Sequence, residues 1–350
     1  MRAVRWNAPE QLELVDADEP AAGPGQAVVE VANCGICGSD LHAYSHGFGA
    51  RPGQVLGHEL SGTVLDAPDV EGLAAGDRVT VRPLIPCGQC ARCRAGDPQL
   101  CENGHAQNIG YASPGAFAER VLVPRAVVGE TVFPLPDSVD DRGGALVEPL
   151  AVGLRAVRLC GDVAGRTVLV LGAGMIGLAV TRFLYLAGAG AVVVVDPAPV
   201  RREAALEFGA DVVIDPLRQS TVKVLRELTG PGASGLGARA DAAIDCAGAP
   251  IAFADAVKSL RGGGTLVLAA IYGRRIELSL DRITEKELVL RGSFAYRDEF
   301  PAVIAAIAAG DVVPERFVSH TFPLERIHDA FQVQLDKAAS LKVMVMPKPS

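Results

Sequence analysis

The pattern of apolar and polar positions changes near residue 150. Before that point the chain is rich in glycine and proline and contains short alternating runs, such as QAVVEVA and DRVTVRP. Alternation with a period of two is typical of short strands that bury one face and are joined by turns. The sequence therefore predicts a β-rich region over residues 1–149.

Six apolar runs of β type follow in the second region, and most are separated by stretches of helical character such as PVRREAALEFGA. Runs without polar alternation are typical of strands buried on both faces of a parallel sheet. The pattern predicts an α/β domain with a Rossmann, doubly wound, six-stranded parallel sheet over residues 150–294. The first residues of the six runs are Thr167, Ala191, Asp211, Asp241, Gly264 and Glu287.

The end of the chain is expected to return to the first region. The segment DEFPAVIAAIAAG predicts a helix, and SLKVMVMP predicts a strand. We therefore expect one discontinuous domain made of residues 1–149 and 295–350, with residues 150–294 inserted between its two parts.

Composition excludes several classes of protein. The chain has 350 residues, of which 49% are apolar and 21% charged, and a net charge of -8. An acidic chain without a dense basic run does not fit a nucleic-acid surface. The most apolar stretch, residues 167–195, is interrupted by glycines and by Arg182, so it does not predict a membrane span. Because the N-terminus lacks the apolar segment of a signal peptide, we expect a soluble cytoplasmic protein.

Four of the eight cysteines form a cluster with the spacing C-x2-C-x2-C-x7-C, at Cys87, Cys90, Cys93 and Cys101. Four thiolates in so short a segment can surround one tetrahedral Zn²⁺ and leave no coordination position open. The cluster therefore predicts a structural zinc. In a chain of this length, the cysteine usage favours metal binding in a reducing compartment over a disulfide framework.

A glycine motif follows the first run of the second region. Gly172, Gly174 and Gly177 form G-x-G-x-x-G, with Met175 and Ile176 inside it. The motif predicts a tight turn, a close approach of the backbone to a pyrophosphate, and close packing of helix on strand. A plain strand–helix turn is the alternative interpretation, but the flanking strand and helix favour a dinucleotide site.

An acidic residue, Asp196, ends the second run, 24 positions after Gly172. A carboxylate there accepts hydrogen bonds from ribose hydroxyls and repels a 2'-phosphate, which favours NAD over NADP. Arg201, close by, could accommodate that phosphate or could be a solvated helix charge.

A second set of candidate ligands is dispersed along the first region: Cys37, His58, Glu59 and Glu148. Sulfur, imidazole and carboxylate all bind zinc, and three protein ligands with one open position are the arrangement of a catalytic zinc. Each residue also has a plain structural alternative, namely a buried thiol, a core histidine or a helix cap. Spacing alone does not group them.

The chain resembles the zinc-dependent medium-chain alcohol dehydrogenases, and within them the sorbitol, threonine and 2,3-butanediol dehydrogenase branch. The resemblance lies in GICGSDLH, GHELSGTV, the four-cysteine segment, ALVEPLAVGLRA and GAGMIG with Asp196, which occur in the family's order over nearly the whole chain. It implies a GroES-like catalytic domain that carries two zinc ions and a Rossmann domain that binds NAD.

The resemblance also implies roles for individual residues. Cys37 and His58 match zinc ligands, and Glu148 matches a position that is cysteine in liver-type enzymes and glutamate in this branch. Glu59 matches a carboxylate near the metal, and the sequence does not decide which of the two glutamates binds it. The remaining matches are Ser39 and His42 as a proton relay and Asp40 as the carboxylate that orients the histidine ligand.

The mechanism implied by the resemblance is hydride transfer between a secondary alcohol and NAD, with zinc lowering the pKa of the substrate hydroxyl. Its proton would leave through Ser39, the cofactor ribose and His42. Tyr296 matches a substrate-pocket tyrosine of the sorbitol enzymes, but the arginine that precedes it there is Ala295 here, which weakens the case for a long polyol. We therefore favour a small secondary alcohol or vicinal diol and its ketone.

Other substrates and classes stay open at this point. L-threonine, a sugar alcohol or an aminocyclitol would suit the same branch, and a non-enzymatic NAD-binding zinc protein is the alternative of another class. Tyr44, Tyr111 and Phe117 are further candidates for the substrate pocket, although an aromatic residue is more often core. No nucleic-acid or membrane partner is expected, and the resemblance implies a homo-oligomer, with a tetramer favoured over a dimer.

Overall fold

The chain forms two compact units in the computed structural model, which describes residues 1–232, 237–278 and 280–347. One unit contains Met1–Glu148 and Tyr296–Ser350, and the other contains Pro149–Ala295. The predicted domains differ from this division by one residue at each junction. Residues 233–236, 279 and 348–350, which the predicted domains include, lie outside the described residues.

The first unit is rich in β-structure. Seven of its strands form one sheet in the order β15-β16-β3-β5-β6-β8, with β7 also paired to β3, and the other three form a small sheet in the order β2-β1-β4. The strands are β1 Arg2–Ala8, β2 Gln11–Asp16, β3 Ala27–Gly35, β4 Gln54–Val55, β5 Glu59–Asp66, β6 Arg78–Val81, β7 Arg120–Val123, β8 Val132–Pro134, β15 Val318–Pro323 and β16 Lys342–Met346.

The alternating runs of the sequence account for the central strands of this sheet. QAVVEVA becomes β3, which is antiparallel to β5 and pairs Gly35 with Glu59. The terminal run SLKVMVMP becomes β16, which is antiparallel to β3, so the end of the chain does rejoin the first domain. Apolar residues of these strands pack with Phe117 and Phe331 into one core.

Along the chain, the helices of the first unit alternate with its strands. One helix, α3, contains the boundary between the two units. The predicted helix near residue 300 is confirmed as α9. The helices are α1 Gly38–His46, α2 Ala91–Arg94, α3 Asp141–Leu159, α9 Phe300–Ala308 and α10 Ile327–Leu335.

The second unit contains the predicted six-stranded parallel sheet, in the order β11-β10-β9-β12-β13-β14. The reversal of strand order beside β9 is the switch point at which doubly wound sheets bind nucleotides. The strands are β9 Thr167–Leu171, β10 Ala191–Val195, β11 Val212–Ile214, β12 Ala240–Asp245, β13 Leu260–Leu268 and β14 Val289–Gly292. The helices are α4 Met175–Leu186, α5 Pro199–Glu207, α6 Thr221–Thr229, α7 Pro250–Ser259 and α8 Leu280–Glu285.

The sheet strands of the second unit are buried as their composition requires. Leu169, Leu171 and Val193 are at most 1% exposed and pack with residues of the flanking helices. Among the described residues, none of the helices has both the length and the apolar character that crossing a bilayer demands.

Candidate active site

The first unit brings three of the dispersed candidate ligands together. The Cys37 thiol, the His58 imidazole and the Glu59 carboxylate each offer a ligand atom, and these atoms all lie within 4.8 Å of one another. The residues come from different elements, since Cys37 precedes α1 and Glu59 begins β5. His58 and Glu59 are buried, whereas Cys37 is half-buried.

One carboxylate, that of Asp40, organises the backbone of both segments. Asp40 Oδ2 accepts a hydrogen bond from the amide of Cys37 at 2.9 Å, and its Oδ1 accepts one from the amide of Gly57 at 3.3 Å. Because Asp40 lies in the first turn of α1, its charge is also favourable to the helix N-terminus. The start of α1 and the segment before β5 are thereby fixed to each other.

The orientation of His58 suits metal binding through Nε2. Its Nδ1 faces Asp40 Oδ1 at 3.6 Å. Its Nε2 faces the hydroxyls of Ser39 at 3.5 Å and Tyr111 at 3.4 Å. A carboxylate behind the far ring nitrogen is the usual partner of a histidine ligand. The resemblance assigns this orienting role to Asp40, but its carboxylate is too far from Nδ1 for a hydrogen bond, and Nδ1 has no partner among the described residues, so the role stays a prediction.

Glu59 is held by a lysine that the sequence analysis did not single out. Lys342, at the start of β16, donates to Glu59 Oε1 at 2.8 Å and Oε2 at 2.6 Å, and also to the carbonyl of Ile36. Burial lowers the pKa of Lys342, but the charge of Glu59 outweighs it and the pKa is raised. Gly35 is required beside this pair, because a Cβ there would lie 2.1 Å from Glu59 Oε2.

Glu148 lies near this set but does not belong to the compact group of ligand atoms among the described residues. It is 7% exposed and lies inside α3 rather than capping it. Burial raises the pKa of Glu148 to about 7; His58 lowers it and Glu59 raises it. Of the two glutamates, Glu59 is therefore the one grouped with Cys37 and His58.

Tyr296 lies next to Glu148 and is completely buried. Its hydroxyl has no hydrogen-bond partner among the described residues. Burial raises the pKa of Tyr296, and the nearby charge of Glu148 raises it further. A buried guanidinium positions this tyrosine: Arg82 lies 5.2 Å from its ring centroid and donates to its carbonyl. No local pattern identifies Arg82 as a partner of Tyr296, because the two residues are 214 positions apart.

The two predicted relay residues lie on one helix. Ser39 and His42 are both half-buried and one turn apart on α1. The hydroxyls of Ser39 and Tyr111 are hydrogen-bonded to each other at 2.9 Å. Of the three further pocket candidates, Tyr44 and Phe117 instead pack against Phe331 in the core.

The four clustered cysteines also converge. Cys87, Cys90, Cys93 and Cys101 offer sulfur atoms within 4.8 Å of one another. Backbone hydrogen bonds, the largest from Gln89, lower the pKa of Cys87 to about 6, and those from Cys93 and Glu102 lower that of Cys90. Since the thiolate is the form that binds zinc, these amides favour metal binding.

The glycine motif of the second unit joins β9 to α4. Gly172 has a φ of 90°, Gly174 is the N-cap of α4, and Met175 and Ile176 form its first turn. A Cβ on Gly177 would lie 1.8 Å from the carbonyl oxygen of Gly172, so only glycine permits this packing. The amides at this helix N-terminus can bind a phosphate.

Asp196 follows β10 beside the motif. Its Oδ2 accepts from the amide of Ala173 at 2.8 Å, and its Oδ1 accepts from the amide of Ala198 at 2.8 Å. Burial lowers the pKa of Arg201, while the charge of Asp196 raises it. A Cβ at Gly174 would lie 3.7 Å from the Arg201 guanidinium, so this arginine lies beside the phosphate-binding turn.

The donor sets fit the metals that the sequence predicts. Four sulfur atoms within one loop match a closed structural zinc site, and a thiol, an imidazole and a carboxylate match a zinc site with a position left for substrate. The second set also fits zinc because His58 Nε2 faces the hydroxyls of Ser39 and Tyr111 and not a carboxylate, which leaves this nitrogen available to a metal.

Two family models match the chain. The alcohol dehydrogenase GroES-like domain matches residues 23–137, and the zinc-binding dehydrogenase model matches residues 176–309. The first covers most of the β-rich unit before α3, and the second begins inside the glycine motif.

Relatives match over nearly the whole length. Human sorbitol dehydrogenase is 32% identical over 359 residues, covering 98% of this chain and 95% of the relative. The (R,R)-butanediol dehydrogenase of Bacillus subtilis strain 168 is 32% identical and covers 99% of this chain and 100% of its own. A solved zinc-binding dehydrogenase of Sinorhizobium meliloti 1021, bound to NADP, has a TM-score of 0.88 at 34% identity and covers 99% of each chain. The chain therefore belongs to the zinc-dependent medium-chain alcohol dehydrogenase family.

Proposed function

We propose that this protein is an NAD-dependent zinc dehydrogenase that interconverts a small secondary alcohol, preferably a vicinal diol, and its ketone. The observation that carries the proposal is the convergence of Cys37, His58 and Glu59 within 4.8 Å, with the Ser39 hydroxyl 3.5 Å from His58 Nε2. This arrangement offers metal ligands and a proton acceptor at one point.

The chain's own residues divide the chemical task. Cys37 and His58 would hold zinc, with Glu59 and Glu148 as nearby carboxylates. Zinc, when bound, polarises the substrate hydroxyl and lowers its pKa, as it lowers that of water from about 15.7 to about 7. Ser39 accepts the hydroxyl proton and passes it on towards His42. A dinucleotide held by the glycine motif of the second unit would supply the hydride acceptor.

We infer a preference for NAD over NADP. The buried Asp196 carboxylate, 5% exposed, lies where a dinucleotide ribose would bind. The S. meliloti relative is bound to NADP, and Arg201 beside Gly174 could contact a phosphate. Parallel assays with NAD and NADP decide between them: a higher kcat/KM with NADP would contradict the assignment.

A vicinal diol fits better than a long polyol. Ala295 stands where the sorbitol-type enzymes have an arginine, so several hydroxyls of a polyol would lack a donor. Relatives with 32% identity include both a sorbitol and a butanediol dehydrogenase, so sugar alcohols, aminocyclitols and L-threonine are the alternative substrates.

The test is a substrate panel of vicinal diols, polyols, monohydric secondary alcohols and L-threonine with NAD, followed by absorbance of the reduced cofactor. We expect the highest kcat/KM with a small vicinal diol, and loss of turnover in Cys37→Ser with His46→Ala as the control. Turnover with none of these substrates, in protein that binds NAD and zinc, would favour the non-enzymatic alternative.

We further propose a homo-oligomer in which the second units pair through β14. This strand has a neighbour on one side only among the described strands, and Val289 and Phe294 are 42% and 51% exposed. A tetramer is favoured over a dimer by the family resemblance alone. None of the eight cysteines forms a disulfide bond, which suits a reducing compartment such as the cytoplasm.

A further inference from the structure

Tyr111 lies at the candidate active site and has no role in the mechanism given above. Its hydroxyl is 2.9 Å from the Ser39 hydroxyl and 3.4 Å from His58 Nε2. Its ring lies against the His58 ring, with centroids 5.0 Å apart. Unlike the core aromatics Tyr44 and Phe117, Tyr111 is 37% exposed, so a substrate can reach it.

The loop that carries Tyr111 is held in place by hydrogen bonds within the loop and from the side chain of Gln54. The carbonyl of Asn108 accepts from the amides of Tyr111, Ala112 and Ser113 at 2.9 to 3.2 Å. The side chain of Gln54 donates to the carbonyls of Gly110 and Tyr111. These bonds hold the backbone at Tyr111, and the contacts of its side chain with Ser39 and His58 orient the phenol, which lowers the entropic cost of binding a substrate there.

Two neutral hydroxyls therefore stand side by side next to His58, on different elements. Ser39 is on α1, and Tyr111 is on the loop before β7. Their separation of 2.9 Å is close to that of the two oxygens of a vicinal diol in its gauche conformation. A diol with one hydroxyl at Ser39 can place the other at Tyr111, whereas a monohydric alcohol leaves Tyr111 without a substrate partner.

We propose that Tyr111 is a specificity-determining residue that hydrogen-bonds the second, non-reacting hydroxyl of a vicinal diol. This inference rests on the proposed function, because it assigns the substrate of the same site. Ser39 faces the hydroxyl that is oxidised, and Tyr111 faces its neighbour. The residue raises kcat/KM for diols and contributes little for monohydric alcohols.

The experiment compares Tyr111→Phe with the parent protein on 2,3-butanediol and 2-butanol, which differ by one hydroxyl. The ratio of kcat/KM for the diol to that for 2-butanol should fall about 10-fold, the effect of losing one hydrogen bond between neutral groups. Tyr185→Phe is the matched control, because Tyr185 is an exposed tyrosine on α4 in the other unit, and its ratio should not change. An unchanged ratio in Tyr111→Phe, including an equal loss with both alcohols, would overturn the proposal.

A binding measurement separates failure of this inference from failure of the proposed function. The parent and Tyr111→Phe, loaded with Co²⁺ and NADH, are titrated with 2,3-butanediol and 2-butanol, and the visible absorption of the cobalt is recorded. Weaker binding of the diol alone in the variant supports Tyr111 even if the parent oxidises neither alcohol, in which case the proposed function fails. Equal diol affinity in both proteins would refute the role of Tyr111.

Discussion

Individual side chains at this site are constrained by a few buried charges. Asp40 fixes the backbone of both the Cys37 and His58 segments. Lys342 neutralises Glu59, which would otherwise be a buried, unpaired carboxylate. Glu148 forms no ion pair with any described residue, and burial raises its pKa to about 7. In metal-free protein the site therefore contains one glutamate paired with a lysine and one that holds its proton more strongly than an exposed glutamate.

The raised pKa of Glu148 predicts a pH-dependent stability. The unfolded chain, with a glutamate pKa of about 4.3, releases this proton before the folded chain does. The free energy of unfolding contributed by this group therefore falls as pH rises from about 4 to about 7 and stays constant above that. In chelator-treated protein, the free energy of unfolding of Glu148→Gln should exceed that of the parent by about 3 kcal/mol at about pH 8. The two values should be equal near pH 4.

Chemical denaturation at both pH values measures this difference. Glu315→Gln, at an exposed position, is the control and should change stability little at either pH. Equal stability of the parent and Glu148→Gln at the higher pH would show that neighbouring groups offset the cost of burying the ionised Glu148 carboxylate.

The relay predicts a pH-dependent loss of rate in His42→Ala. Without the imidazole, the proton from Ser39 must leave directly to solvent, which is slowest where hydroxide and external bases are scarce. We expect kcat to fall by about 100-fold at the acidic end of the pH–rate profile, the lower end for a positioned acid or base, and less at alkaline pH. His46→Ala is the matched control, since its ring lies 6.1 Å from that of His42 on the same helix. A parallel profile in His42→Ala would return this residue to a surface role.

Some side chains of the site can be identified from the sequence, and others cannot. Cys37, His58 and Glu59 were found only through resemblance, because ligands so far apart in the chain have no local spacing signal. Lys342 and Arg82 were missed, since a lone lysine or arginine gives no sign that it is buried. The sequence offers Tyr111 as an aromatic candidate, but its contact with Ser39 depends on the folding of a loop 72 positions away.

For whole strands and helices, the pattern of apolar residues predicts more of the structure than it does for single side chains. All six runs of the second region became strands of one parallel sheet, because continuous Val and Leu runs suit strands covered on both faces. Strand β13 begins at Leu260, earlier than the run from Gly264, because Leu260 pairs with Ala240 of β12 before an irregularity that contains the glycines, and regular pairing resumes at Thr265. Short elements such as β4 carried no pattern and depend on pairing with β1.

The junction of β9 and α4 gives a prediction at this scale. Gly177→Ala would place a methyl group 1.8 Å from the carbonyl oxygen of Gly172, so α4 must move away from the turn. We expect a loss of about 1–3 kcal/mol in the free energy of unfolding, as for other overpacked sites, and weaker binding of NAD. Gly262→Ala is the control, because the nearest atom to its Cβ would be 3.8 Å away. Wild-type stability and NAD affinity in Gly177→Ala would contradict the close packing.

At the scale of the whole molecule, the chain is one discontinuous unit with a second unit inserted. The predicted return of the C-terminal segment follows from β16, whose apolar residues need the partner strand β3. The sequence did not indicate how many copies of the chain associate, because an exposed edge strand looks the same along the chain as a paired one.

The exposed edge gives the prediction for assembly. Val289→Lys places a charge on β14, where pairing with a second copy would bury it. We expect a smaller assembly by light scattering coupled to size-exclusion chromatography, with Val313→Lys in the other unit as the control of similar exposure, 37% against 42%. An unchanged mass would exclude β14 as the interface.

The proposed chemistry depends on a metal ion bound between the Cys37 sulfur and the His58 imidazole. The most direct test is a crystal structure of the purified protein with anomalous diffraction recorded at the zinc absorption edge. We expect two peaks per chain, one about 2.3 Å from the Cys37 sulfur and about 2.0–2.1 Å from His58 Nε2, the other among the four clustered cysteines. A peak at the cysteine cluster alone, in fully zinc-loaded protein, would show that Cys37 and His58 do not bind a metal.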